Sequence, residues 1–257
     1  MTSELSTTST RALFSLPADA VVTGVTALHR HGVEVADAWP IRAVTASSAQ
    51  TRRADVRLIR ARRVPASTDR LAHPLPAWLA AGAELDLVEL VAAADALVRL
   101  QHCTLAELQA AGQGATGRGC RTLHRAAGLA RERVDSMPES HLRLCLVLAG
   151  LPEPRCNVTL GDDHGVIGRV DLLIEEFGVI LEYDGDQHRD RGQWNLDLDR
   201  DDRFGAADFT TVRITRDRMR RPRDVVGRVY VRLVERGYAG PPPRFDPEWC
   251  ALFERRE

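Results

Sequence analysis

Three carboxylates past the midpoint of the chain have the types and spacing for metal-assisted chemistry. Asp171 lies inside VIGRVDLLIE (166–175), and Glu182 and Asp184 stand at the end of GVILEY (178–183). Both runs read as strands, with Glu176, Phe177 and Gly178 as a tight hairpin between them. Side chains alternate along a strand, so Glu182 and Asp184 share one face, and the short turn lets Asp171 face Glu182 across the pair. Their neighbours are apolar, where an unpaired carboxylate is costly, and clustered like charges call for a compensating cation. Mg²⁺ or Mn²⁺ fits that demand: hard oxygen ligands, a couple of carboxylates, and water and phosphate for the rest. A metal so held polarises a phosphate, generates hydroxide from water and stabilises the leaving oxygen. The other reading is that these carboxylates cap strand ends and pair with neighbouring arginines such as Arg169. Asp184-Gly185-Asp186 has the look of a calcium loop, but the later ligands and terminal Glu of that loop are missing. Asp197, Asp199, Asp201 and Asp202 fall on an expected helix and mostly point to different sides.

The elements that must position these groups can be read around them. Ser136-Met137-Pro138-Glu139 opens a helix running to about Leu148, stopped by Gly150 and Pro152. Strands are expected at 155–160, 166–175 and 178–183, a helix over 191–206, a strand over 209–215 and a last helix over 222–236 with Pro222 in its first turn. The order is α-β-β-β-α-β-α. The tail after 238, GPPPRFDPEWCALFERRE, has a proline stop and a short amphipathic end.

With those residues in place, VDLLIEEFGVILEYDGDQH, QWNLDLDRDDR and FTTVRIT resemble the very-short-patch-repair-like (Vsr-like) endonuclease domain. This group is catalogued as domain-of-unknown-function family 559, within the PD-(D/E)XK nuclease superfamily. The resemblance covers about 136–236, within a domain expected over 136–238, and its most specific part is E-Y-D-G-D-Q-H. It implies an α/β restriction-endonuclease-like domain with a mixed sheet flanked by helices, acting as a Mg²⁺- or Mn²⁺-dependent DNA endonuclease. It implies Asp171 and Glu182 as metal ligands, with the backbone carbonyl of Tyr183 as a third. The superfamily's usual lysine, two residues after the glutamate, is Asp184 here, and the chain has no lysine at all. Gln187 and His188 are the nearest candidates for that role; His188 could position or deprotonate the attacking water, having a natural pKa near neutrality. Asp184 could instead bind a second metal. Glu139 sits where the superfamily often places an acid that reaches the metal through water, but Ser136-x-x-Glu139 is also a capping box. Asp197-x-x-Arg200 matches a family pattern that would aim Arg200 at the scissile phosphate, against a surface ion pair as the plainer alternative. Arg169 is the second candidate nucleic-acid contact.

The first half is expected to be mostly helical: a flexible start over 1–16, a helix over 17–32 ending at Gly32, and helices over 84–100, 104–112 and 117–130. Thr104-x-x-Glu107 forms a capping box for the second of these three. One strand is expected at 55–64, where Arg57, Arg60, Arg62 and Arg63 form a basic stripe or a solvated face. A domain boundary is expected near 131–137. LPADAVVTGVTALHRHGV and AAGAELDLVELVAAADALVR are similar to the region that precedes this nuclease domain in proteins with an AbiEi-like antitoxin module. The winged helix that usually opens such proteins is expected to be missing here, through either a truncated start or the lack of that DNA reader. This motivates a competing function: a catalytically degenerate nuclease fold serving as a DNA-binding or toxin–antitoxin-type regulatory module. His29 and His31 read as structural, near a helix end.

Composition narrows the classes. The chain has 257 residues, 44% of them hydrophobic, with no apolar run long enough to span a bilayer. No signal-peptide pattern opens it. Its five cysteines are scattered with no CxxC pair, which argues for a reducing cytoplasm. A net charge of -1 hides a split: residues 1–135 carry 16 Arg against 13 acids, and the remainder 19 Arg against 23. Neither half is basic enough to establish nucleic-acid binding by its field alone. The implied partners are DNA, with room for a homo-oligomer or a toxin–antitoxin-type partner, and no membrane.

Overall fold

The computed structural model describes residues 2–184 and 191–254, with side chains over 7–184 and 199–254. The chain is mixed α/β and divides into two compact units, Met1–Glu132 and Arg133–Glu257. No helix among the described residues is long and apolar enough to cross a membrane.

The first unit contains α1 (Thr2–Leu13), β1 (Val21–Val22), α2 (Gly24–Arg30), β2 (Ile41–Thr45) and β3 (Val56–Arg60). It continues through β4 (Ser67–Thr68), β5 (Leu71–Ala72), α3 (Pro74–Ala81), α4 (Leu87–Arg99), α5 (Leu105–Gln113) and α6 (Cys120–Leu129). Its strands form a five-stranded sheet in the order β3-β2-β1-β5-β4, which corrects the expectation of a single strand here. The expected helix over 17–32 begins only at Gly24, because Val21 and Val22 pair with Val44 and Ala43 of β2. It does stop at Gly32, in the left-handed region at φ +82°. The start is not a loose tail: α1 forms, and the Arg30 guanidinium donates to the buried Ser9 hydroxyl at 2.9 Å. α4 and α5 carry reciprocal capping boxes, Asp86 with Glu89 and Thr104 with Glu107, which satisfy backbone donors that a helix start leaves open. Trp78 anchors the core, fully buried with its indole N–H donating to the Leu90 carbonyl at 2.9 Å. His29 and His31 each bond a backbone carbonyl, of Ala36 and Ala72, in keeping with a structural role.

The second unit runs α7 (Met137–Leu148), β6 (Arg155–Asp162), β7 (Gly165–Ile174), β8 (Val179–Asp184), α8 (Arg191–Ala206), β9 (Thr210–Thr215), α9 (Arg216–Met219), α10 (Pro222–Glu235) and α11 (Pro247–Phe253). The sheet order is β6-β7-β8-β9. The first three strands form an antiparallel meander, while β9 lies parallel to β8 after the α8 crossover. The β7–β8 turn closes on Gly178, at φ +61°, and sets Leu172 opposite Leu181 and Ile174 opposite Val179. A Cβ on Gly178 would lie 3.1 Å from the Asp208 carbonyl oxygen, so both backbone angle and space favour glycine.

Phe204 of α8 packs on Val170, Leu173 and Ile180, and its complete burial is worth about 1.5–3 kcal/mol. Leu172 and Leu181, next along their strands, are fully buried as well, so the sheet is covered on both faces. The Arg203 guanidinium binds Asp162 at 2.8 Å, tying α8 to the β6–β7 hairpin. α11 is fixed to α7 by the buried Trp249, whose indole N–H donates to the Cys145 carbonyl at 3.0 Å. All five cysteines are free thiols.

Candidate active site

The β7–β8 pairing carries the acidic centre. The paired register runs as far as Leu172 opposite Leu181, and Asp171 and Glu182 are the next residues along the two strands. The Tyr183 backbone N–H donates to Asp171 Oδ2 at 2.8 Å, which fixes this carboxylate against β8. Glu182 is 9% exposed. Burial pushes the carboxyl pKa of Asp171 and of Glu182 above the usual range, and the Asp171 charge adds to the rise at Glu182. Arginines oppose that rise: Arg200 at both groups, Arg169 at Asp171 and Arg213 at Glu182.

Those arginines come from two elements. α8 delivers Arg200, one turn before Phe204, and its Nη2 lies 2.6 Å from Glu182 Oε1. Its Nε is buried with no hydrogen-bond partner among the described residues. Gly168 makes room for it, since a Cβ there would sit 3.1 Å from Arg200 Cδ. Arg213, the register partner of Glu182 on β9, lies 3.9 Å from Glu182 Oε2 and binds Asp201 at 2.7 Å. Glu182 therefore sits between two guanidinium groups.

Glu139 is buried at the start of α7, and both of its oxygens are engaged. Oε1 accepts from the Ser136 hydroxyl at 2.7 Å; Oε2 accepts from the Asp135 backbone at 3.0 Å and from Asn157 Nδ2 at 2.7 Å. Burial raises its pKa, and the Asp171 charge adds to that. The bonds give it a structural role, joining the helix start to β6, while its charge still reaches the acidic centre.

Arg169 pairs with Asp135 at 2.6 Å on the surface and makes no ion pair with Asp171 or Glu182. Asp184 ends β8, half-buried, with Thr215 as its register partner. Tyr183 is half-buried beside it. Gln187 and His188, and the side chain of Asp197, lie outside the described residues. Sequence reasoning missed Arg213 and set Asp201 aside as one of several helix carboxylates. Their signal was available only through register: Arg213 faces Glu182 because β9 runs parallel to β8, a long-range pairing that no local pattern encodes.

Among the described residues no group of three or more His, Cys, Asp or Glu side chains is arranged to hold a metal ion. Comparison of the chain with protein-family models, curated proteins and solved structures gives no match.

Proposed function

We propose that the second unit is a phosphodiesterase of the PD-(D/E)XK, Vsr-like kind, hydrolysing DNA with Mg²⁺ or Mn²⁺. The observation that carries this reading is the approach of two carboxylates on adjacent strands, the half-buried Asp171 and the buried Glu182, with the Arg200 guanidinium on Glu182. The α-β-β-β-α-β order and the parallel β8–β9 pair support it.

The donor set fits such a cation. Magnesium takes one or two carboxylates and keeps water and phosphate for its other positions, so a pair of carboxylates suffices. Asp171 and Glu182 would hold it, with the Tyr183 carbonyl as a third oxygen. When bound, the cation supplies charge neutralisation at the phosphate and an acidified water. The Tyr183 N–H keeps Asp171 oriented. The Arg200 fork, which holds Glu182 through Nη2, would transfer to a phosphate oxygen. Arg213 stays with Asp201, which keeps its charge near the centre. Proton transfer falls to a group near the end of β8, with His188 and Gln187 as candidates in the segment outside the described residues.

The competing reading, a degenerate nuclease fold that binds DNA or a regulatory partner, has one observation in its favour: Glu182 is already neutralised by Arg200 and Arg213. Calorimetric titration with Mn²⁺ separates the two. The enzyme reading expects heat from the native chain and none from Asp171→Ala. No heat from either, with DNA still bound in EDTA, favours the binding module.

A further inference from the structure

Residues 213–232 carry eight arginines against two acids, Asp217 and Asp224, in a chain whose formal net charge is -1. The fold gathers this run into two adjoining hollows where β9, α9 and α10 meet. One, of 420 Å³, is lined by Arg218, Arg220, Arg221 and Arg228 with Asp217 and Asp224. The other, of 490 Å³, is lined by Arg213, Arg218, Arg228 and Arg232 with Val231 and Glu235. Arg218 and Arg228 line both, so the hollows form one continuous groove.

The charges in this groove are unevenly compensated. Arg220 lies 3.7 Å from Asp217 and Arg232 is held by Glu235 at 2.6 Å. Arg218, Arg221 and Arg228 are exposed and make no ion pair among the described residues. Arg218 instead donates to the Arg213 carbonyl at 2.7 Å, which lays it along the outer edge of β9. Arg213 belongs to both places: it lines the groove and lies 3.9 Å from Glu182. Positive charges on an edge strand also deter unwanted strand pairing. That need concerns β9 alone and does not account for a concave cluster spread over three elements.

We infer that this groove is a docking track for the phosphate backbone of duplex DNA, leading to the Asp171–Glu182 centre; the choice of DNA rests on the nuclease reading. Guanidinium forks match phosphate oxygens in pairs. A track built from them binds without regard to base sequence and with a steep salt dependence. Anionic membrane and acidic protein surfaces are less suited, because the charge lies in a concave groove, one of whose arginines, Arg213, also lies 3.9 Å from Glu182, rather than on a flat face.

The test uses the full chain carrying Asp171→Ala, in EDTA, so that binding is read without cleavage. Fluorescence anisotropy of a labelled duplex of arbitrary sequence is followed across salt concentration. The triple Arg218→Ala, Arg221→Ala, Arg228→Ala is compared with Arg57→Ala, Arg60→Ala, Arg62→Ala, which removes the same charge from the first unit. The groove triple is expected to weaken binding about tenfold or more. It is also expected to flatten the slope of log K against log salt by about 0.9 per lost contact, roughly 2–3 in all. The comparison triple leaves the slope intact, and the groove triple changed to lysine keeps it. Equal losses from both alanine triples, no loss from the groove triple, or a loss seen only on phosphatidylserine vesicles would each overturn the track. Plasmid nicking by the chain with Asp171 intact tests the enzyme separately. Groove-dependent binding without nicking removes the enzyme and keeps the track; nicking with groove-independent binding removes the track alone.

Discussion

Glu182 has two guanidinium partners, Arg200 and Arg213, and exchanging one of them for a cation is the central event of the proposed chemistry. Removing the Arg200 guanidinium frees Glu182 Oε1, from which it lies 2.6 Å away. Arg200→Ala should therefore bind Mn²⁺ at least as tightly as the native chain while its DNA cleavage falls by roughly a hundredfold, the scale of losing one donor to transition-state charge. Calorimetry beside a nicking assay reads both; loss of metal binding would place Arg200 in the metal site's architecture instead. Asp171 bears on pH dependence. Its folded-state pKa is raised by burial. The stability it contributes is thus complete below the unfolded carboxylate range, near ~4, and is lost as pH rises through the folded value. Asp171→Asn keeps an oxygen for the Tyr183 N–H, so it should fold, show a flatter decline of melting temperature from acid to neutral pH, and lose the stabilisation that Mg²⁺ gives the native chain at neutral pH. Identical pH slopes for the two would contradict the burial account. Glu139, by contrast, is held by three hydrogen bonds to its carboxylate. Glu139→Ala should cost about 2–4 kcal/mol in urea unfolding, from lost hydrogen bonds at the helix start and one of the two that Asn157 Nδ2 makes. Glu139→Gln should recover much of that cost.

At the scale of elements, the hairpin between β7 and β8 is what makes two carboxylates into a site. Its register depends on Gly178, where φ is +61° and the Asp208 carbonyl stands where a Cβ would crowd it. Gly178→Ala should destabilise the chain by about 1–2 kcal/mol and lower metal affinity by loosening the facing of Asp171 and Glu182. Chemical denaturation and Mn²⁺ titration check the two effects. This hairpin was legible in the sequence because its signals are local: alternating apolar runs on either side of a glycine turn. The same holds for α7, announced by Ser136 and Glu139, and for α5, announced by Thr104 and Glu107. The sheet of the first unit was not legible. Three of its five strands are two residues long, too short to show a period, and β2 pairs in parallel with β3, a contact created by tertiary packing. The α1 helix was missed for a related reason. Its Ser- and Thr-rich sequence has modest helix propensity, and the burial of Ser9, Ala12 and Leu13 supplies what local preference does not.

For the molecule as a whole, the carboxylates of the centre could be read from spacing and their apolar flanks, but the guanidinium groups around them could not. Arg213 reaches Glu182 only through the β8–β9 register. Arg169, expected near DNA or the carboxylates, is taken by Asp135. The charge pattern shows a different failure: dividing the chain into halves gave an unremarkable balance, while a window over 213–232 holds eight arginines and two acids. Scale of averaging, not missing information, hid that groove. The units Met1–Glu132 and Arg133–Glu257 each bury their own apolar sets, and the proposed chemistry belongs entirely to the second. The central claim is therefore tested most directly on the full chain, by following conversion of supercoiled plasmid to nicked and linear forms in Mg²⁺, Mn²⁺ or EDTA beside Asp171→Ala and Glu182→Ala. The account predicts cleavage that requires the divalent cation and is abolished in both variants. Cleavage that persists in highly purified Asp171→Ala protein, or that proceeds unchanged in EDTA, would contradict it.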